Sequence, residues 1–161
     1  MNSKIKLIDI MKDERIQCYS IMLSMNTKVY LSIIEKAYEN NGGIEGQRIP
    51  LKNRSALRIR ETMRDDIKAG TVLPPIVIGC TMQSLDVIDS IYNEDKLNES
   101  EDIIFKILNS NEISIIDGMQ RTTALKEISE NDDEFESKLR IELPSFRRYR
   151  ERPGCCRSRR P

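Results

Sequence analysis

Histidine is absent from all 161 residues. That absence removes Ser-His-Asp triads, histidine general bases and Cys₂His₂ zinc sites together. The cysteines supply no replacement, because Cys18 and Cys80 lie far apart, Cys155 and Cys156 are adjacent, and no pair has zinc spacing. Cys18 and Cys80 read as buried thiols in a reducing compartment. Also missing is any apolar run of the roughly 18 residues that a membrane helix needs. The start Met1-Asn2-Ser3-Lys4-Ile5-Lys6 lacks the apolar segment of a signal peptide. A cytoplasmic location and no membrane partner are therefore expected. There are no internal repeats.

With 39% hydrophobic and 32% charged residues the composition is that of a soluble globular chain, and the length suits one domain with one core. The net charge of zero conceals an asymmetry. Residues 144–161 hold seven arginines against one glutamate, a net of +6, without lysine or isoleucine, which leaves 19 basic against 25 acidic groups elsewhere. A mildly acidic body argues against nonspecific DNA coating by the domain as a whole. The domain is expected to span 1–143. From Pro144 onward, through Phe146 and Tyr149, a disordered arginine-rich tail with no packed strand or helix is expected. As a functional arm it would lie on nucleic acid phosphates and stack its aromatic rings on bases. The abrupt shift from a Lys- and Ile-rich body favours a non-native segment in place of the end of a longer parent.

Hydrophobic spacing suggests a strand over 17–23 and a helix over 27–40 with Val29, Ile33, Ile34, Ala37 and Tyr38 on one face, halted by Asn41-Gly42-Gly43. The loop 41–53 that follows carries Arg48, a soft recognition candidate. Ala56, Ile59, Met63 and Ile67 recur at helical spacing over 55–69, with Gly70 placed to cap the end. Arg54, Arg58, Arg60 and Arg64 lie among Glu61, Asp65 and Asp66 on this helix and read as a solvated charged face. Prolines at 74 and 75 forbid a helix over 72–78, so a core strand is expected. A short helix over 84–92, a polar mobile stretch over 93–102 and a hairpin of strands 103–108 and 113–116 follow. A helix over 119–130 and a half-buried strand over 139–143 complete the domain.

Chemistry concentrates in Ile115-Ile116-Asp117-Gly118-Met119-Gln120-Arg121-Thr122-Thr123-Ala124-Leu125, where an apolar run ends in a polar turn and a helix starts at once. Gly118 permits a positive φ or a close ligand approach. The amides of Thr122 and Thr123 are expected to open the helix, and the positive end of its dipole favours an anion there. Arg121 adds a planar fork of donors. Asp117 could accept from the turn's own amides or hold Mg²⁺ or a ribose hydroxyl. The plainer alternative is a structural Asp-Gly turn with Arg121 paired to a carboxylate.

This segment resembles the D-G-Q-Q-R and D-G-Q-H-R signatures of the ParB/sulfiredoxin superfold, through Asp117, Gly118, Gln120 and Arg121, with Ile115, Ile116, Thr123 and Leu125 around them. Met119 departs from it, where glutamine is usual. Upstream, the stretch 58–70 followed by Pro74-Pro75-Ile76-Val77 is similar to the helix, glycine stop and strand that precede the motif in these families. The likeness covers about residues 47–143, with 80–100 expected as an insertion. It implies an α+β fold, a small mixed sheet flanked by helices and carrying a strand-turn-helix ligand motif. It further implies a nucleoside triphosphate with Mg²⁺ as ligand, DNA as a partner, and a nuclease or modification enzyme alongside, within bacterial restriction-modification or phage defence.

By the same resemblance Gln120, Arg121 and Asp117 would be catalytic, Asp117, Gly118, Arg121, Thr122 and Thr123 would bind nucleotide, and Asp117 would hold the metal. No thiol stands where sulfiredoxins carry cysteine in this turn, which argues against sulfinic acid reduction. Thr122 follows Arg121 where chromosome-partitioning ParB proteins have a second arginine, which argues against a CTP clamp. An NTP-hydrolysing domain is the first expectation, and a DNA-binding regulator without turnover the alternative.

Overall fold

The computed structural model describes residues 5–39, 54–82, 84–94, 100–110 and 112–147. The loop carrying Arg48 and the tail from Arg148 onward, with Tyr149, lie outside the described residues, as does the side chain of Phe146. The order is β1 (Ile5–Asp13), β2 (Cys18–Asn26), α1 (Thr27–Glu39), α2 (Arg54–Lys68), β3 (Ile76–Met82), α3 (Asp86–Glu94), α4 (Glu101–Ser110), β4 (Glu112–Asp117), α5 (Met119–Asn131) and β5 (Lys138–Arg147). The architecture is α+β, a five-stranded mixed sheet flanked by helices. No helix among the described residues is long and apolar enough to cross a membrane.

The chain opens on a hairpin, where the sequence suggested one strand. Its turn is built by Asp13, whose carboxylate accepts from the amides of Arg15 (2.9 Å) and Ile16 (3.1 Å), so that β2 returns antiparallel along β1. The strands lie in the order β1-β2-β5-β3-β4, with β5 antiparallel to β2 and parallel to β3, and β4 antiparallel to β3 at the far edge. The last strand is thus the central one. It runs on past Leu143 to Arg147 and corrects the expectation of an unpaired tail beginning at Pro144. Ser145 pairs with both Tyr19 and Cys80. The β3–β5 ladder keeps one register on either side of a gap at Ile78–Gly79 and Leu143–Pro144, where proline has no N–H to donate.

A further expectation fails in the middle of the chain. Residues 103–108 form α4 instead of a hairpin strand, with Ile104, Ile107 and Leu108 buried. Spacings of three and four place those side chains on one helical face, and Ser100, whose carbonyl accepts from the Ile104 amide at 2.8 Å, opens the helix ahead of Glu101 and Asp102. The stretch expected as an insertion contributes Cys80, Leu85, Ile88 and Ile91 to the core. One face of the sheet is covered: Leu23, Ile78, Ile115, Ile141 and Leu143 share it and are fully buried, with Leu125 of α5 packed in the same core, while the opposite face carries exposed Arg140 and Ile116 and half-buried Val77 and Glu142. Each of the fully buried side chains is worth roughly 1.5–3 kcal/mol of transfer free energy.

Candidate functional site

The site is made where β4 ends and α5 begins. Edge strand β4 hands the chain to Gly118, whose φ of 102° lies in the left-handed region, and α5 starts at Met119. A Cβ on Gly118 would come within 2.9 Å of Ile76 Cγ2 and 3.2 Å of Arg121 Nε, so both the sharp turn and the seat of the guanidinium require glycine. No side chain caps the helix. The first intrahelical bond is Thr122 N–H to Gly118 C=O at 2.8 Å. The orphan donors therefore belong to Met119, Gln120 and Arg121, one turn earlier than the expected Thr122 and Thr123 amides.

The threonine hydroxyls face the opposite way from the expected phosphate. Thr122 is fully buried; its Oγ1–H goes to the Gly118 carbonyl (3.0 Å), so Tyr30 of α1 donates to Thr122 Oγ1 at 2.7 Å. Thr123 repeats the pattern, donating to the Met119 carbonyl (3.0 Å) and accepting from Tyr38 Oη (3.2 Å). Two α1 tyrosines thus pin the first turn of α5 from behind. Burial above all holds the Tyr30 phenol well above its ordinary pKa, against smaller opposing effects of the Thr122 hydrogen bond and the Arg121 charge. Tyr30 is a bystander to the motif in sequence, and its only signal there is a helical face shared with Ile34 and Ala37.

Arg121 Nη2 donates to Asp117 Oδ2 at 2.5 Å, one turn back. The two ends of this pair differ sharply: the Arg121 side chain is 14% exposed and the Asp117 side chain 70%. Beside them opens a cleft of about 570 Å³ lined by the apolar side chains of Met63, Leu73, Pro74, Ile116 and Met119 together with Asp117, Gln120 and Arg121. Arg121 is thus paired to a carboxylate, as the plainer alternative has it, but that carboxylate is exposed and a hollow lies beside the pair.

A second group of cations stands beside the motif. Arg60 and Arg64 of α2 turn inward to grip Glu127 of α5, at 3.6 and 3.0 Å, where sequence reading placed them on a solvated face. Arg60 Nη2 also donates to Gln120 Oε1 at 3.3 Å, and its buried Nε has no partner among the described residues. Gln120 is thereby oriented through its amide oxygen. The spacing of Arg60 and Arg64 by four residues was the visible signal, but the acidic neighbours Glu61, Asp65 and Asp66 masked which way that face pointed.

Asp117 is the only carboxylate lining the cleft among the described residues, and no group of three His, Cys, Asp or Glu that could hold a metal occurs among them. The donor set suits a cation brought in on phosphate oxygens, since Mg²⁺ commonly takes one or two carboxylates and completes its shell with phosphates and water. Comparison with known proteins returns no match to the chain, whether among family models, curated proteins or solved structures.

Proposed function

We propose that this chain is a nucleotide-binding domain of ParB/sulfiredoxin type that takes a nucleoside triphosphate at the β4–α5 turn and serves a bacterial DNA-modification or defence system. The single supporting observation is the cleft in which Arg121, three helix-start amides without a partner among the described residues and an apolar wall converge. Phosphate oxygens meet Arg121 and the amides of Met119, Gln120 and Arg121, where the helix dipole and the guanidinium act together. Met63, Leu73, Pro74 and Ile116 offer a surface for a base or sugar. Gln120, held by Arg60, would direct a water, and Asp117 would meet a metal ion or the nucleoside. Mg²⁺, when bound with the nucleotide, would spread the charge of the phosphates. As in phosphoryl transfer generally, any acceleration would come from positioning and charge stabilisation.

Binding without turnover is the second reading, and specific observations favour it. The Thr122 and Thr123 hydroxyls are committed to carbonyls behind the site, and Met119 has no polar group where the resembling motifs carry an amide. Such a module would report nucleotide occupancy to DNA or to a partner enzyme.

Titrating the full chain with each NTP in Mg²⁺ tests the proposal. Arg121→Ala should weaken binding by at least about tenfold, roughly 1.4 kcal/mol, with the far-ultraviolet circular dichroism unchanged; equal affinity would remove the assignment. Phosphate release with and without DNA then separates hydrolysis from binding alone.

A further inference from the structure

The carboxylate that neutralises Arg121 is the cleft's own, and it is the exposed half of the pair. Asp117 lies at the end of an edge strand with a 70% exposed side chain, whereas Arg121 is 14% exposed and packs over Gly118. An uncomplexed polyphosphate reaching Arg121 meets the Asp117 negative charge at the same spot. It must either bind beside that charge or displace it into solvent with no new partner. A polyphosphate carrying a divalent cation faces no such conflict, because the pair can be exchanged charge for charge: phosphate to Arg121 and the amides, cation to Asp117.

We infer that Asp117 is a selectivity residue, an internal counter-ion that turns away free polyphosphate and admits polyphosphate loaded with a divalent cation. The inference rests on the proposed nucleotide site and adds a rule for what enters it. Asp117 plays this part without building a metal site of its own, in keeping with the lack of a three-ligand cluster among the described residues.

Calorimetric titration with inorganic triphosphate, which has the charge but no base, tests this in Mg²⁺ and in EDTA. The wild-type chain should bind the Mg²⁺ complex at least about tenfold more tightly than the free anion. Asp117→Asn should bind free triphosphate about tenfold more tightly than wild type does and lose the dependence on Mg²⁺. Asp117→Ala should do the same, and with a side chain so exposed both variants should keep the wild-type melting curve to within a few degrees. Mg²⁺ alters the charge of triphosphate in any case, so the loss of dependence in the variants is the decisive reading. If the variants retain the wild-type dependence, or if wild type binds both forms equally, the selectivity role is wrong while the nucleotide site stands. Absence of binding in every arm would overturn the site as well.

Discussion

At the scale of single residues, Gly118 bears more than the motif around it suggests. Its φ of 102° is one that side chains rarely adopt, and a methyl group there would press on Ile76 Cγ2 at 2.9 Å and Arg121 Nε at 3.2 Å. Gly118→Ala should therefore cost about 1–3 kcal/mol of stability, measurable by urea unfolding. It should also weaken triphosphate binding, because the methyl displaces the guanidinium that the glycine accommodates. A variant as stable and as tight as wild type would mean that the turn can relax without cost. The glycine was legible in the sequence as a special backbone position, and Arg121 as the cation beside it. Which hydroxyls faced the ligand was not, because threonines at the start of a helix alternate between solvent and core according to what packs behind them. Here Tyr30 and Tyr38 decide it.

Among elements, the interface of α2 with α5 ties the site to the rest of the upstream sequence. Glu127 is shared by Arg60 at 3.6 Å and Arg64 at 3.0 Å, and its side chain is 29% exposed. Removing it leaves two guanidinium groups facing each other without a counter-ion in a partly desolvated seam. Glu127→Ala should destabilise by about 1–2 kcal/mol, between the small worth of exposed pairs and the larger penalty for a buried charge left alone. Hydrogen exchange should locate the effect in α2, with amides near Ile67 exchanging faster than those of β3 and β5. Uniform loss of protection would show instead that α2 is no separate unit. The end of α2 was readable in advance: Gly70, at φ 90°, donates to Ile67 C=O and Thr71 to Asp66 C=O, the paired bonds of a glycine helix stop. The packing direction of its arginines needed the tertiary structure.

On the scale of the whole molecule, the strands most hidden from sequence reading are those whose role depends on distant partners. β1 alternates poorly because a register shift falls between Leu7 and Asp9, and the end of β5 contains a proline that argues against a central strand until its amide is seen to fall in a ladder gap. α4 was misread because a short apolar run has no period of its own to tell helix from strand. The core these elements close makes stability fall at alkaline pH, and the sign is the same for all four raised groups, Cys18, Cys80, Tyr19 and Tyr30, of which Cys80 and Tyr30 serve to work it through. Burial raises the Cys80 thiol from 9.0 to about 11 and holds the Tyr30 phenol above its ordinary value. Below the unfolded values both groups are protonated in either state, so their contribution is fully present. Between the unfolded and folded values the unfolded chain has released protons that the native chain still holds, and each such group lowers stability by about 1.4 kcal/mol per pH unit. Urea midpoints should be flat through neutrality, begin to fall near pH 9 as the unfolded thiols of Cys18 and Cys80 ionise, and fall more steeply past about pH 10, where Tyr19 and Tyr30 ionise too. Tyr30→Phe should shift the neutral plateau down by about 0.5–1.5 kcal/mol through the lost donor to Thr122 and make the steeper limb shallower, the remainder belonging to Tyr19. An unchanged limb in that variant would assign the alkaline loss to other groups and leave the Tyr30 hydroxyl a packing contact only.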